Sequence, residues 1–218
     1  MRKPLQLYFF PTPNGRKVSI ALEEMNLAYE VRMVDIFKLE QTRPEFLRIS
    51  PNARIPGLVD PDVEGQPVVI FESGAILQYL GRKSGRFYPA PEERRAWVDA
   101  WVFWQMAGLG PMTGQLTWFK RANAKPGRDA RDCSLALHRY EKEMRRLYNV
   151  LEGQLGGRQF ICDEYSIADM ACWPWVDQHH DYLGDLRQFP NIFAWHERIG
   201  ARPAVLKAMK IGAVARPE

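Results

Sequence analysis

The residues with the clearest chemical capacity fall in three short stretches of the first third of the chain. Pro11-Thr12-Pro13-Asn14-Gly15 stands between an apolar run and an amphipathic segment, so it marks a helix start. A helix start offers unpaired backbone N–H groups and the positive end of a dipole. Thr12 adds a hydroxyl and Asn14 an amide, so a thiolate brought there would be stabilised by several donors. The second stretch, Ser50-Pro51-Asn52-Ala53-Arg54-Ile55-Pro56-Gly57-Leu58-Val59, places a proline at the entry to a strand. A cis bond before Pro56 would turn the Ile55 N–H and C=O outward, where a peptide ligand could pair with them like an added strand. The third, Phe71-Glu72-Ser73-Gly74-Ala75-Ile76, sets a carboxylate immediately before a serine at a helix start. A buried Glu72 would accept hydrogen bonds from a ligand ammonium. Ser73 and the helix N-terminus would bind a ligand carboxylate, and together they would recognise an amino-acid head group. Each stretch also has a purely structural reading: helix caps at Asn14 and Ser73, and an ordinary loop proline at Pro56.

Cys133, Cys162 and Cys172 are odd in number and show no Cys-x-x-Cys spacing. They support neither a disulfide framework nor a zinc site, and no metal is expected. They read as reduced, mostly buried thiols of a cytoplasmic protein. Of 218 residues, 46% are hydrophobic and 26% charged, enough to bury a core and keep a water-facing surface over one large domain or two small ones. The net charge of +4 is scattered, and the densest basic cluster, Arg82-Lys83 to Arg86, has no interleaved aromatics. Nucleic acid is therefore not expected as a partner, whereas a small anionic ligand suits the charge. The apolar run Leu5 to Phe10 is short and ends at Pro11, so no signal peptide and no membrane span is expected.

The elements that must position these stretches follow from pattern. Leu5 to Phe10 reads as a buried strand. Val18, Ala21, Leu22 and Met25 share one face of the next helix, with Asn14 as its cap. Tyr29 to Val34 alternates like a strand, and Pro44 to Ile49 suits a short helix. Ile55 to Val59 and Pro67 to Phe71 read as strands around a Val63-Glu64-Gly65-Gln66 turn, followed by a helix capped by Ser73. This order implies a mixed sheet with helices around it. Composition changes at Pro89-Ala90-Pro91, taken as a linker, and strand signals then cease. Glu92 to Gln105 is helical and tryptophan-rich. Gly108, Gly110, Pro111 and Gly114 predict a bend or break. A long helix is expected over Arg128 to Leu155, with Leu135, Tyr140, Met144, Leu147 and Leu151 along one side. Ser166-Ile167-Ala168-Asp169 opens another through a reciprocal cap, and Pro190 to Arg202 and Pro203 to Lys210 complete the set.

The order and spacing of the three stretches resemble the thioredoxin-like domain of glutathione transferases, and Ser166-Ile167-Ala168-Asp169 resembles the capping box of that superfamily's second domain. Thr12-Pro13-Asn14-Gly15, Arg43-Pro44-Glu45-Phe46-Leu47, Phe71 to Ile76, and Trp104-Gln105 through Gly108-Leu109-Gly110-Pro111-Met112 look most like the Nu class. Ala171-Cys172-Trp173-Pro174-Trp175 and Trp195-His196-Glu197-Arg198 extend the likeness. That class comprises bacterial disulfide-bond oxidoreductases related to the yeast nitrogen regulator that forms a prion. The resemblance implies an α/β plus all-α fold: a thioredoxin-like domain with a mixed four-stranded sheet over 1–86, and a helical bundle over 92–210. It implies glutathione as co-substrate, held by Asn14, Gln41, Ile55 through its main chain, Glu72, Ser73 and Arg139. Arg139 read alone is a solvated helix residue. No serine, tyrosine or cysteine stands at the usual thiol-activating place, so Thr12 and Asn14 would stabilise the glutathione thiolate. The implied function is reduction of small disulfides by thiol–disulfide exchange, in a cytoplasmic homodimer. Two alternatives stay open: conjugation or reduction of hydrophobic electrophiles or peroxides, with the aromatics from Trp97 to Trp104, Trp118 and Phe119 as an apolar wall, and a non-catalytic glutathione-binding regulatory module.

Overall fold

Leu5, Leu7 and Phe9 alternate with half-buried residues along β1 (Leu5–Phe9), so one face of the strand enters the core while the other stays partly open. In the computed structural model, which describes residues 3–124 and 133–212, β1 is an inner strand of a four-stranded sheet. The other strands are β2 (Tyr29–Met33), β3 (Gly57–Asp60) and β4 (Val68–Phe71), in the order β2-β1-β3-β4. β1 and β2 run parallel, joined through helix α1 (Pro13–Glu24). β3 is antiparallel to both of its neighbours. The mixed sheet expected from the sequence is therefore present. The short helix α2 (Pro44–Leu47) precedes β3, and α3 (Ser73–Ser84) follows β4. Val18, Ile20, Ala21 and Leu22 of α1 and Ile76, Leu77 and Leu80 of α3 are fully buried, and the two helices pack together. Gly65, at φ +83°, makes the turn between β3 and β4. Tyr79 and Lys83 of α3 reach the buried Asp60 carboxylate at 2.5 and 2.6 Å, which ties α3 to the end of β3.

The described residues form two compact units: those up to Glu92 together with those from Gly200 onward, and Glu93–Ile199. Helix α9 (Pro203–Met209) lies within the 92–210 segment but packs on α1 of the first unit. The reason is polar as well as apolar. Arg202 grips the buried Glu24 carboxylate at 2.6 and 2.9 Å, and Lys207 meets Glu23 at 2.8 Å. Arg16 donates to the carbonyls of Ala208 and Ile211, each at 2.7 Å, closing the last turn of α9.

The second unit is helical, with α4 (Glu92–Trp104), α5 (Gly110–Asn123), α6 (Ser134–Gln154), α7 (Ile167–Val176) and α8 (Pro190–Gly200). The glycine-rich stretch does not break the chain between α4 and α5. It forms a single wide π turn, Gln105–Leu109, that leads straight into α5. The long helix begins at Ser134; 125–132 lie outside the described residues, and with them the start expected at Arg128. Met144, Leu147 and Leu151 are buried as expected, but Leu135, in the first turn of α6, is 82% exposed. α7 is buried along nearly its whole length, and the expected capping box starts it. Asp169 is completely buried. It accepts from the N–H of Ser166 (2.9 Å), the N–H of Ile161 (3.0 Å) and the indole of Trp195 (2.9 Å). One carboxylate thus joins the loop before α7, its cap and helix α8. No helix among the described residues is long and apolar enough to cross a membrane.

Candidate functional site

Sheet register brings the three stretches together. Tyr8 pairs with Gly57, and Gly57 pairs with Phe71. The end of β1, the start of β3 and the end of β4 therefore lie side by side, roughly 5 Å between neighbouring strands. The chain that leaves β1 there leads to Thr12, the chain that enters β3 carries Ile55, and the chain that leaves β4 is Glu72-Ser73. β2 ends at the same edge, since Phe9 pairs with Met33 and Val34 N–H donates to the Phe9 carbonyl at 2.9 Å. Gln41 follows in the connection from β2 to α2. Thr12, Asn14, Gln41, Ile55, Glu72 and Ser73 thus all belong to segments issuing from one end of the sheet.

Local chemistry assigns the helix caps differently from the sequence expectation. Thr12, not Asn14, caps α1: its backbone is extended, at φ −101° and ψ 164°, and its hydroxyl accepts from Gly15 N–H at 3.3 Å. Pro13 takes the first helical position, where its fixed φ fits and its missing N–H costs nothing, and this moves the cap back by two residues. Asn14 lies in the first turn, half-buried. Gly15 is required here, because a Cβ would collide with the Phe10 carbonyl oxygen. At the other helix, Ser73 is the first helical residue and Glu72 holds the cap position without a side-chain cap bond. Glu72 has φ +72°, which is strained for a residue with a side chain. It is exposed, so the expectation of a buried Glu72 is corrected: a carboxylate at this bend faces water and can meet a ligand ammonium without prior desolvation.

Ile55 precedes the ladder of β3 and the Ile55–Pro56 bond is cis, as the strand-addition reading requires. Gln41 is half-buried, and its side-chain oxygen is buried with no hydrogen-bond partner among the described residues. A buried acceptor left unpaired costs about 1–3 kcal/mol, which an N–H from a ligand would recover. Arg139 belongs to the second unit, exposed on α6 one turn before Glu143. The cysteines are all free and buried in that unit, and burial first, then the Asp169 charge, pushes the Cys162 thiol up to about 12. A thiol raised in this way is not the activated thiolate of a nucleophile. The motifs do not include Lys17, although the helical spacing of Lys17, Ile20, Ala21 and Glu24 assigns it to a buried face of α1.

Residues 12–83 match the model of the glutathione S-transferase N-terminal domain, and residues 136–203 that of the C-terminal domain. The disulfide-bond oxidoreductase YfcG of Escherichia coli is 46% identical over 208 residues, covering 94% of each chain. A glutathione transferase from Pseudomonas putida, solved with one glutathione disulfide bound per subunit, superposes with a TM-score of 0.87 at 42% identity, over 95% of this chain and 91% of that one. One from Burkholderia graminis, solved with two glutathione molecules per subunit, gives 0.88 at 41% identity, over 98% and 90%. With both domain models matched in order, and with relatives of this identity spanning nearly its whole length, the chain belongs to the glutathione S-transferase family.

Proposed function

We propose that the protein is a glutathione-dependent disulfide-bond oxidoreductase. The supporting observation is the meeting of Thr12, Asn14, Ile55, Glu72 and Ser73 at one sheet end, with the unpaired Gln41 oxygen on the loop from the same end. The Ile55 main chain pairs with the peptide part of glutathione, Gln41 accepts one of its N–H groups, and Glu72 and Ser73 take the head group. The Thr12 hydroxyl and the Asn14 amide, at the positive end of α1, favour the thiolate. That thiolate attacks one sulfur of a small disulfide, forming a mixed disulfide and expelling the other sulfur as a thiolate. A second glutathione attacks the mixed disulfide, releasing the second thiol and glutathione disulfide, so two glutathiones are oxidised for each disulfide reduced. Buried, free thiols support a cytoplasmic location. Exposed Trp97 and Phe103 on α4, and Val69 and Phe71 on the edge strand β4, support a homodimer, for which light scattering at micromolar concentration is the test.

Turnover of 2-hydroxyethyl disulfide by purified protein with glutathione tests the reading. Glutathione binding without turnover would instead leave a binding module. One observation favours conjugation of apolar electrophiles as a second activity. Trp101 is buried with its indole N–H unpaired among the described residues, and it meets Trp97 and Trp104 edge-on at 6.1 and 5.0 Å. Turnover of an aromatic chloride under the same conditions decides it.

A further inference from the structure

Lysine is seldom buried, because its ammonium loses hydration that little else replaces. Lys17 is nevertheless only 1% exposed, in the second turn of α1. Its neighbour Arg16 is accounted for by the carbonyls of α9. Lys17 Nζ instead donates to Ser73 Oγ across 3.4 Å, and both atoms are buried. An ammonium has only donors, so the Ser73 oxygen is the acceptor and its own proton turns away from α1. Ser73 is also the first residue of α3. The first intrahelical bond of α3 is Ile76 N–H to Glu72 C=O at 3.0 Å, so the N–H groups of Ser73, Gly74 and Ala75 precede the ladder. The geometry thus sets a hydroxyl proton, a helix dipole and a full positive charge at one place. The ligand group that gains most from all three is a carboxylate; a neutral acceptor gains less, and a cationic group gains from none.

We propose that Lys17 is a positioning residue for the α-carboxylate of the ligand's γ-glutamyl head group, acting through Ser73. It aims the Ser73 hydroxyl and adds its charge to the start of α3. The proposal rests on the glutathione reading above and goes beyond it by separating two tasks within α1. The first turn faces the thiol, and the second turn supports the opposite end of the tripeptide.

The test compares glutathione with γ-aminobutyryl-cysteinyl-glycine, which differs only in lacking that carboxylate. Both are titrated calorimetrically into wild-type protein and Lys17→Met. Glutathione affinity is expected to fall about ten- to a hundredfold in the variant, the range for a lost hydrogen bond to a charged group. The analogue, already weak, should change by less than about twofold, since its missing carboxylate leaves Lys17 nothing to support. KM for glutathione should rise by more than kcat falls, and the pKa of the bound thiol should stay put. An equal loss for both ligands, or no loss, overturns the proposal. Should Lys17→Met fail to give a cooperative melt, Lys17→Gln keeps a donor toward Ser73 without the charge. It is expected to weaken glutathione several-fold and to spare the analogue, and parallel losses again refute the idea. Absence of glutathione binding to the wild type would strike the underlying functional reading instead.

Discussion

Thr12 and Asn14 stand two residues apart, yet their substitution should separate a folding role from a chemical one. Thr12 caps α1 through its 3.3 Å bond from Gly15 N–H and, being a hydroxyl, can donate its proton at the same time. Thr12→Ala removes both. Loss of the cap should lower stability by about 1 kcal/mol. Loss of a charge-assisted donor to the thiolate should cost about 1.5–3 kcal/mol, or roughly ten- to a hundredfold in exchange rate near neutral pH. The same energy raises the pKa of the bound thiol by about one to two units. Asn14→Ala removes no cap, so it should slow exchange and raise the thiol pKa over the same range with a smaller change in stability. Glutathione affinity should fall less in both if, as proposed, Glu72 and Ser73 hold the head group. Glu72→Ala should do the reverse, weakening affinity and sparing the thiol pKa. The assay is the ultraviolet absorbance of the bound thiolate followed against pH at saturating glutathione, with urea melts of the same variants. If Asn14→Ala leaves both the thiol pKa and the rate unchanged, Asn14 is only a surface residue of the first turn and its catalytic assignment is wrong.

Replacing Cys133, Cys162 and Cys172 together with serine should leave disulfide reduction within about threefold, since the thiols are buried and no step of the exchange uses them. A folded triple variant that has lost turnover would put a protein thiol in the reaction. Arg202→Ala leaves the buried Glu24 carboxylate without its two-pronged partner and should destabilise the protein by about 2–4 kcal/mol in urea unfolding; an effect below about 0.5 kcal/mol would mean that water replaces the pair. Burial raises Asp169 to about 6 from the ordinary 3.8, against the opposing pull of its N–H donors. The folded state then holds the proton more tightly than the unfolded chain. Its contribution is fully present below about pH 4 and is lost as pH rises through 6. Relative to Asp169→Asn, which does not titrate, the wild type should lose about 2 kcal/mol between pH 4 and 7. A flat difference across that range would show that the surrounding donors keep the carboxylate ionised.

The sequence by itself determined what short-range chemistry can write. Alternation gave β1 and β2, helical spacing gave the buried faces of α1 and α3, and Ser166 with Asp169 gave the capping box of α7. The three candidate stretches were legible because helix starts and strand entries carry their own residue types. Which residue does the capping was decided one level up. Pro13 claims the first helical position and leaves the cap to Thr12, while the bend at Glu72 makes Ser73 helical and directs its hydroxyl toward a partner rather than its own helix. Leu135 obeys the periodicity of α6 but lies exposed in its first turn, because periodicity says which residues share a side and not where along the helix that side is covered. Three further features needed the tertiary structure. The bond from Lys17 to Ser73 joins residues 56 apart, the grip of Arg202 on Glu24 spans 178, and the unpaired Gln41 oxygen is defined by what fails to surround it. A lysine, an arginine or a glutamine has the same local preferences whether buried or solvated. Only the packing of distant elements removes its water, and that removal turns a surface residue type into part of a site.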